Sequence, residues 1–133
     1  ALIWGIHYPL VDFALKRISV FSVLMLTVLP IVLLMPVFMR DIARDLDAVR
    51  ELPGIEQGMI AAIGLTSLLG AVLLYLSIAG KNATLASLIE ITYPVFVAFF
   101  AYAIFRHVHV NASVIVGGML VMAGAGLIIY NNQ

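Results

Sequence analysis

The chain has 133 residues, 64% of them hydrophobic and 11% charged, and its formal net charge is zero. Soluble domains are about half apolar and about a quarter charged, so this composition points to an all-α, polytopic membrane protein embedded in a lipid bilayer. Zero net charge offers no basic surface for nucleic acid, and the lack of cysteine removes disulfide and thiol chemistry.

Five apolar stretches predict a bundle of five transmembrane helices forming a single domain. The first covers about residues 1–18 and reads A-L-I-W-G-I-H-Y-P-L-V-D-F-A-L-K-R-I. It falls slightly short of the ~20 residues that cross a bilayer, and Ala1 already lies inside the helical pattern, so upstream residues are expected. The second span covers 18–39 and contains Pro30 and Pro36. Prolines are tolerated in membrane helices because neighbouring groups re-satisfy the freed carbonyls. The segment from Arg40 to Gln57 is rich in Arg and Asp and contains Pro53-Gly54 near its end, which predicts a short surface helix and a turn. The third span is 59–79, the fourth 84–105, and the fifth 112–130 with Asn111 as its N-cap. Tight links make sequential helices antiparallel neighbours. Arg40, Arg44, Arg50 and Arg106 then fall on one side, against Lys16, Arg17 and Lys81 on the other. That asymmetry favours a cytoplasmic N-terminus in a cell (inner) membrane.

The fourth span, S-L-I-E-I-T-Y-P-V-F-V-A-F-F-A-Y-A-I-F, holds one carboxylate, Glu90. A charge at membrane depth costs at least ~2.5 kcal/mol, so an intramembrane acid marks a functional site by default. Pro94, four residues later, has no N–H to give the Glu90 carbonyl. Ser87, Glu90, Pro94, Ala98 and Ala101 share one narrow helical face, and Tyr93 adds a hydroxyl. Counting ~1.5 Å per residue from the helix ends puts Asp12, Tyr75 and Glu90 in one layer. His7 and Tyr93 fall nearer the midplane. These residues predict a substrate cavity lined by the first, third and fourth helices, with Trp4 and Tyr8 flanking His7. Plainer readings stand beside this one. Asp12 can pair with Lys16 at i+4, His7 can be an ordinary hydrogen-bonded bundle residue, and the aromatics can belong to an interfacial belt. No such local partner exists for Glu90, whose nearest basic residue along the chain is Lys81.

His107 and His109 lack a third ligand, so no metal set is expected. No nucleophile–base pair or phosphate loop is visible; an enzyme is not expected, nor a cofactor. Small residues in the fifth span, chiefly Gly117, Gly118 and Gly124, suit close helix packing.

The opening A-L-I-W-G-I-H-Y-P-L-V-D-F-A-L, the acidic-x-x-x-Pro pattern of the fourth span and the Gly-rich V-I-V-G-G-M-L-V-M-A-G-A-G-L-I-I-Y of the fifth, in that order, resemble one five-helix EamA-type repeat of the drug/metabolite transporter superfamily. Two departures stand out. The Gly-Glu usual after the fourth helix is replaced here by Arg106-His107, and Asp12 sits where a basic residue is common. The resemblance implies export of small metabolites or drugs by alternating access. It also implies a homodimer, or a second inverted repeat in a ten-helix chain. A non-transporting membrane assembly or packing protein is the competing reading, and Glu90 discriminates between them, because a packing protein has no need of an unpaired carboxylate.

Overall fold

The computed structural model describes residues 2–106 and 111–131; Ala1, His107 and His109 lie outside them. Every regular element among the described residues is a helix, and contacts divide the chain into two compact units, Ala1–Gly80 and Lys81–Gln133.

The first unit holds three helices. Helix α1 is Leu2–Leu15, 14 residues with Pro9 inside. It stops short of the expected residue 18 because the N–H groups of Arg17 and Ile18 both turn back to the Ala14 carbonyl, each at 2.9 Å. Ser19 caps the next helix, its hydroxyl accepting from the Ser22 N–H at 3.3 Å. Helix α2 is Val20–Arg50, 31 residues running through both prolines and on through the charged segment. The surface helix expected there is therefore a continuation of the second span and not a separate element. The segment contains no helix breaker before Pro53, and the pairs Arg44–Asp41 at 3.4 Å and Arg50–Asp47 at 3.0 Å lie along it at i,i+3. At ~1.5 Å per residue α2 is about 46 Å long, more than a ~30 Å hydrocarbon core requires, which leaves length for a charged end outside it. Gln57 closes that end, donating from Nε2 to the carbonyls of Arg50 at 3.2 Å and Leu52 at 2.8 Å. Helix α3, Gly54–Gly80, starts five residues earlier than expected. Helix α1 packs against both α2 and α3, and α2 packs against α3. Tyr8, Val11, Val23, Leu24, Tyr75 and Ile78 are the buried side chains.

The second unit holds α4 (Ala83–Glu90), α5 (Tyr93–Phe105) and α6 (Ala112–Asn131). Asn82 caps α4 by accepting from the Leu85 N–H at 2.8 Å. Asn111 caps α6 through the Val114 N–H at 3.0 Å, as its sequence position suggested. The fourth span is not one helix: it breaks at Ile91–Thr92, so the single face expected from Ser87 to Ala101 does not run through. Pro94 supplies no N–H there, and the chain tightens into i,i+3 turns instead. The Thr92 and Val95 N–H groups reach Ile89 and Thr92, both at 3.1 Å. The Thr92 hydroxyl donates to the same Ile89 carbonyl at 2.7 Å. Pro9, Pro30 and Pro36 cause no such break. Arg106 ends α5 in the left-handed conformation, φ 56°, with its N–H returning to the Tyr102 carbonyl.

Among the described residues four spans are long and apolar enough to cross a membrane: α2, α3, the 23-residue run Ala83–Phe105, and α6; α1 is shorter. Very little of these spans is buried within the chain, which leaves their apolar side chains for lipid or further protein.

Candidate functional site

In the first unit the sequence places His7 and Tyr8 one turn before Val11 on the packed side of α1. His7 Nε2 lies 3.3 Å from the Tyr75 hydroxyl of α3, a hydrogen bond whose direction depends on the imidazole tautomer. Tyr75 is only 5% exposed, so its ring is fixed by packing and its hydroxyl is held where His7 can reach it. Trp4, one turn before His7, meets the imidazole edge-on at 5.1 Å and lies tilted 6.0 Å from Tyr8. Trp4 is itself exposed while Tyr8 is buried. The structure thus gathers Trp4, His7, Tyr8 and Tyr75 into one aromatic and polar cluster. Asp12 is not hydrogen-bonded into it; its Oδ2 accepts from Lys16 Nζ at 3.0 Å, the local i,i+4 pairing.

In the second unit Glu90 is the last residue of α4. Its side chain is exposed, and among the described residues it has no hydrogen-bond or ion-pair partner. Tyr93 opens α5 and lies in a shallow surface groove beside Phe96, Phe100 and Ala101. Pro94 lines a different, deeper groove of about 550 Å³ between α5 and α6, with Ile91, Val95, Ala98, Gly117 and Gly118. Glu90 is not part of that lining. A Cβ on Gly118 would sit 3.4 Å from Val95 Cγ2, whereas one on Gly117 or Gly124 would meet nothing within 4 Å. Gly118 is therefore the glycine that faces α5.

Two features escaped sequence reasoning. One is the α5–α6 groove, signalled only by small residues at Ala98, Gly117 and Gly118. The other is the helix break, whose signal is the β-branched pair Ile91-Thr92 just ahead of Tyr93-Pro94.

Among the described residues no three His, Cys, Asp or Glu side chains gather as a metal set would require. The chemistry on offer is a carboxylate able to hold a cation or a proton, and a histidine–tyrosine pair able to orient a polar ligand between aromatic faces.

No curated protein and no solved structure matches the chain. A family model described as the EamA-like transporter family matches residues 1–130, taking in every helix of both units. The order of motifs from the Trp4-Gly5 start to the glycine-rich last helix has its explanation in that match: the chain belongs to the EamA-like transporter family.

Proposed function

We propose that this protein exports small metabolites or drugs by alternating access, with Glu90 carrying the substrate or a coupled proton. Its family and the four apolar runs of spanning length among the described residues make it an integral membrane protein of a small-molecule transporter class. The observation that carries the finer reading is the exposed carboxylate of Glu90, without a partner among the described residues, in a run long and apolar enough to cross a membrane. Facing lipid it would be heavily penalised; facing a water-filled cavity or a second repeat it has a use. Within the first unit, taken by itself, the His7–Tyr75 pair with Trp4 and Tyr8 would touch substrate, while Asp12 is paired with Lys16. Within the second unit, taken by itself, Glu90 and Tyr93 would do so.

The working unit contains two repeats of opposite orientation, as two copies of this chain or two halves of a longer one. Alternating access rocks one bundle against another around a shared site, and a single repeat has no second wall. The exposed apolar surface of the spans and the open space beside Gly117 and Gly124 suit such a partner. The protein resides in the cell (inner) membrane with its N-terminus cytoplasmic.

The test is efflux from cells loaded in turn with a panel of radiolabelled metabolites and fluorescent drugs. Wild type should clear at least one compound faster than empty-vector cells, and Glu90→Gln, expressed to the same level, should not. Equal efflux by the variant removes Glu90 from the mechanism.

A further inference from the structure

The break in the fourth span does more than bend it. In an unbroken helix the carbonyls of Leu88, Glu90 and Ile91 would accept from the N–H groups of residues 92, 94 and 95. Here the Thr92 N–H is diverted to Ile89, the Val95 N–H is diverted to Thr92, and Pro94 has no N–H. None of the turn and cap hydrogen bonds among the described residues ends on these three carbonyls. They lie at the carboxyl end of α4, where the helix dipole is negative, and the last residue of that helix, Glu90, carries a carboxylate with no partner among the described residues. The break lies about 12 Å along the run that starts at Ala83, well inside the hydrocarbon if that run spans the bilayer.

Non-helical backbone at such depth persists only where it is covered by protein or lines an aqueous cavity. Free carbonyls and a carboxylate on neighbouring residues of the chain offer only oxygen acceptors, which call for a positive partner. A proton would neutralise the carboxylate and leave the carbonyls unsatisfied. A hard metal cation takes oxygen ligands of both kinds, and carbonyls at the ends of interrupted helices do coordinate sodium in transporters. Glu90 is the only acidic residue in Lys81–Gln133, so one negative charge is available and a monovalent ion matches it. Of the basic residues in this unit, Lys81 precedes the start of α4, and Arg106 lies beyond the far end of α5 with its guanidinium 5.7 Å from the Tyr102 ring.

We infer that the Ile91–Thr92 break forms a sodium site, held by the Glu90 carboxylate and the main-chain carbonyls that the break frees. The inference rests on the reading of Glu90 as the coupling group of a transporter, and it names the coupling ion.

The experiment is equilibrium binding of radioactive sodium to the purified full-length protein in detergent. It compares wild type with Glu90→Gln and with Pro94→Ala. Pro94→Ala keeps the carboxylate but restores an N–H that can close on the Glu90 carbonyl. Wild type should bind sodium saturably, and both variants should bind roughly tenfold more weakly or not at all. An isotope-labelled Glu90 carbonyl in otherwise native protein should shift its infrared band when sodium is added, which tests the ligand without any substitution that could disturb folding. Wild-type protein that binds no sodium, a Pro94→Ala variant that binds as wild type does, or a carbonyl band that stays in place overturns the site. Efflux that needs Glu90 in a protein without sodium binding refutes this inference and leaves the transporter reading intact. Sodium binding with full efflux by Glu90→Gln leaves the ion site standing but refutes both its role as the coupling ion and the transport role of Glu90.

Discussion

Removing the Tyr75 hydroxyl should cost far less than removing its ring. Tyr75→Phe deletes one interhelical hydrogen bond, the 3.3 Å contact to His7. Such bonds in membrane bundles average about 0.6 kcal/mol and reach about 1.7. The long donor–acceptor distance places this one in the lower half, about 0.5 kcal/mol. Tyr75→Ala also empties a site that is 95% covered. In lipid the transfer part of that loss largely vanishes, because the surroundings are apolar either way. What remains is the cavity: roughly 100 Å³ of lost ring at ~24 cal/mol per Å³ gives about 2.4 kcal/mol. With the lost bond added, Tyr75→Ala costs about 2.9 kcal/mol, so at ~4 °C per kcal/mol the two variants should melt about 2 °C and about 12 °C below wild type. Thermal unfolding in detergent can be followed through Trp4, the chain's single tryptophan, which lies 5.1 Å from His7 and reports on this cluster alone. If Tyr75→Phe destabilised as much as Tyr75→Ala, the hydrogen bond and not the packed ring would be holding α1 to α3, and the reasoning would fail.

Gln57→Ala should cost about 1 kcal/mol through the two carbonyls it leaves unbonded at the end of α2, seen as faster amide exchange from Glu51 to Gly54. Asp12→Asn should change stability by only about 0.5 kcal/mol or less, since Lys16 is well exposed in their i,i+4 pair; chemical denaturation reads this directly. Gly118→Leu should drive into Val95 and lower stability by about 1–3 kcal/mol. Gly117→Leu should spare the fold and weaken copy-to-copy crosslinking instead; the opposite pattern would reverse the two glycines' assigned neighbours. A cysteine at Ala48, on the charged end of α2, should be labelled from both sides of sealed vesicles if a lone repeat inserts both ways. Labelling from one side alone, in a functional protein of a single repeat, rules out the dual-orientation pairing.

The long spans were legible because each is a run of about 20 apolar residues with few competing explanations. The Asp12–Lys16 pair and the Asn82 and Asn111 caps differ in how they could be read. The pair and Asn111 follow from spacing alone, whereas Asn82 was seen only as part of a link. The extent of α2 was harder. Its charged end reads as a connector by composition, yet nothing between Arg40 and Leu52 stops a helix that has already nucleated. The break after Glu90 was hardest. Four prolines sit in apolar helical patterns here, and three are absorbed without a break. Only at Pro94 does the preceding β-branched pair fold into i,i+3 turns, with Thr92 spending its hydroxyl on the Ile89 carbonyl. That outcome depends on local competition among hydrogen bonds, which a hydropathy pattern does not encode. Counting depth along antiparallel helices put Tyr75 level with Asp12 and His7 nearer the midplane, whereas the structure joins Tyr75 to His7 and leaves Asp12 to Lys16. The α5–α6 groove was not legible, because it depends on how closely Gly118 lets Val95 approach.

The most direct measurement of the central claim is counterflow in proteoliposomes made with purified protein, using a compound identified from the efflux panel. Vesicles holding unlabelled compound should accumulate the labelled form from outside when they carry wild-type protein. Vesicles carrying equal amounts of correctly folded Glu90→Gln should not. Exchange by Glu90→Gln at the wild-type rate would contradict the account, because the carboxylate of the fourth apolar span would then have no part in moving the substrate.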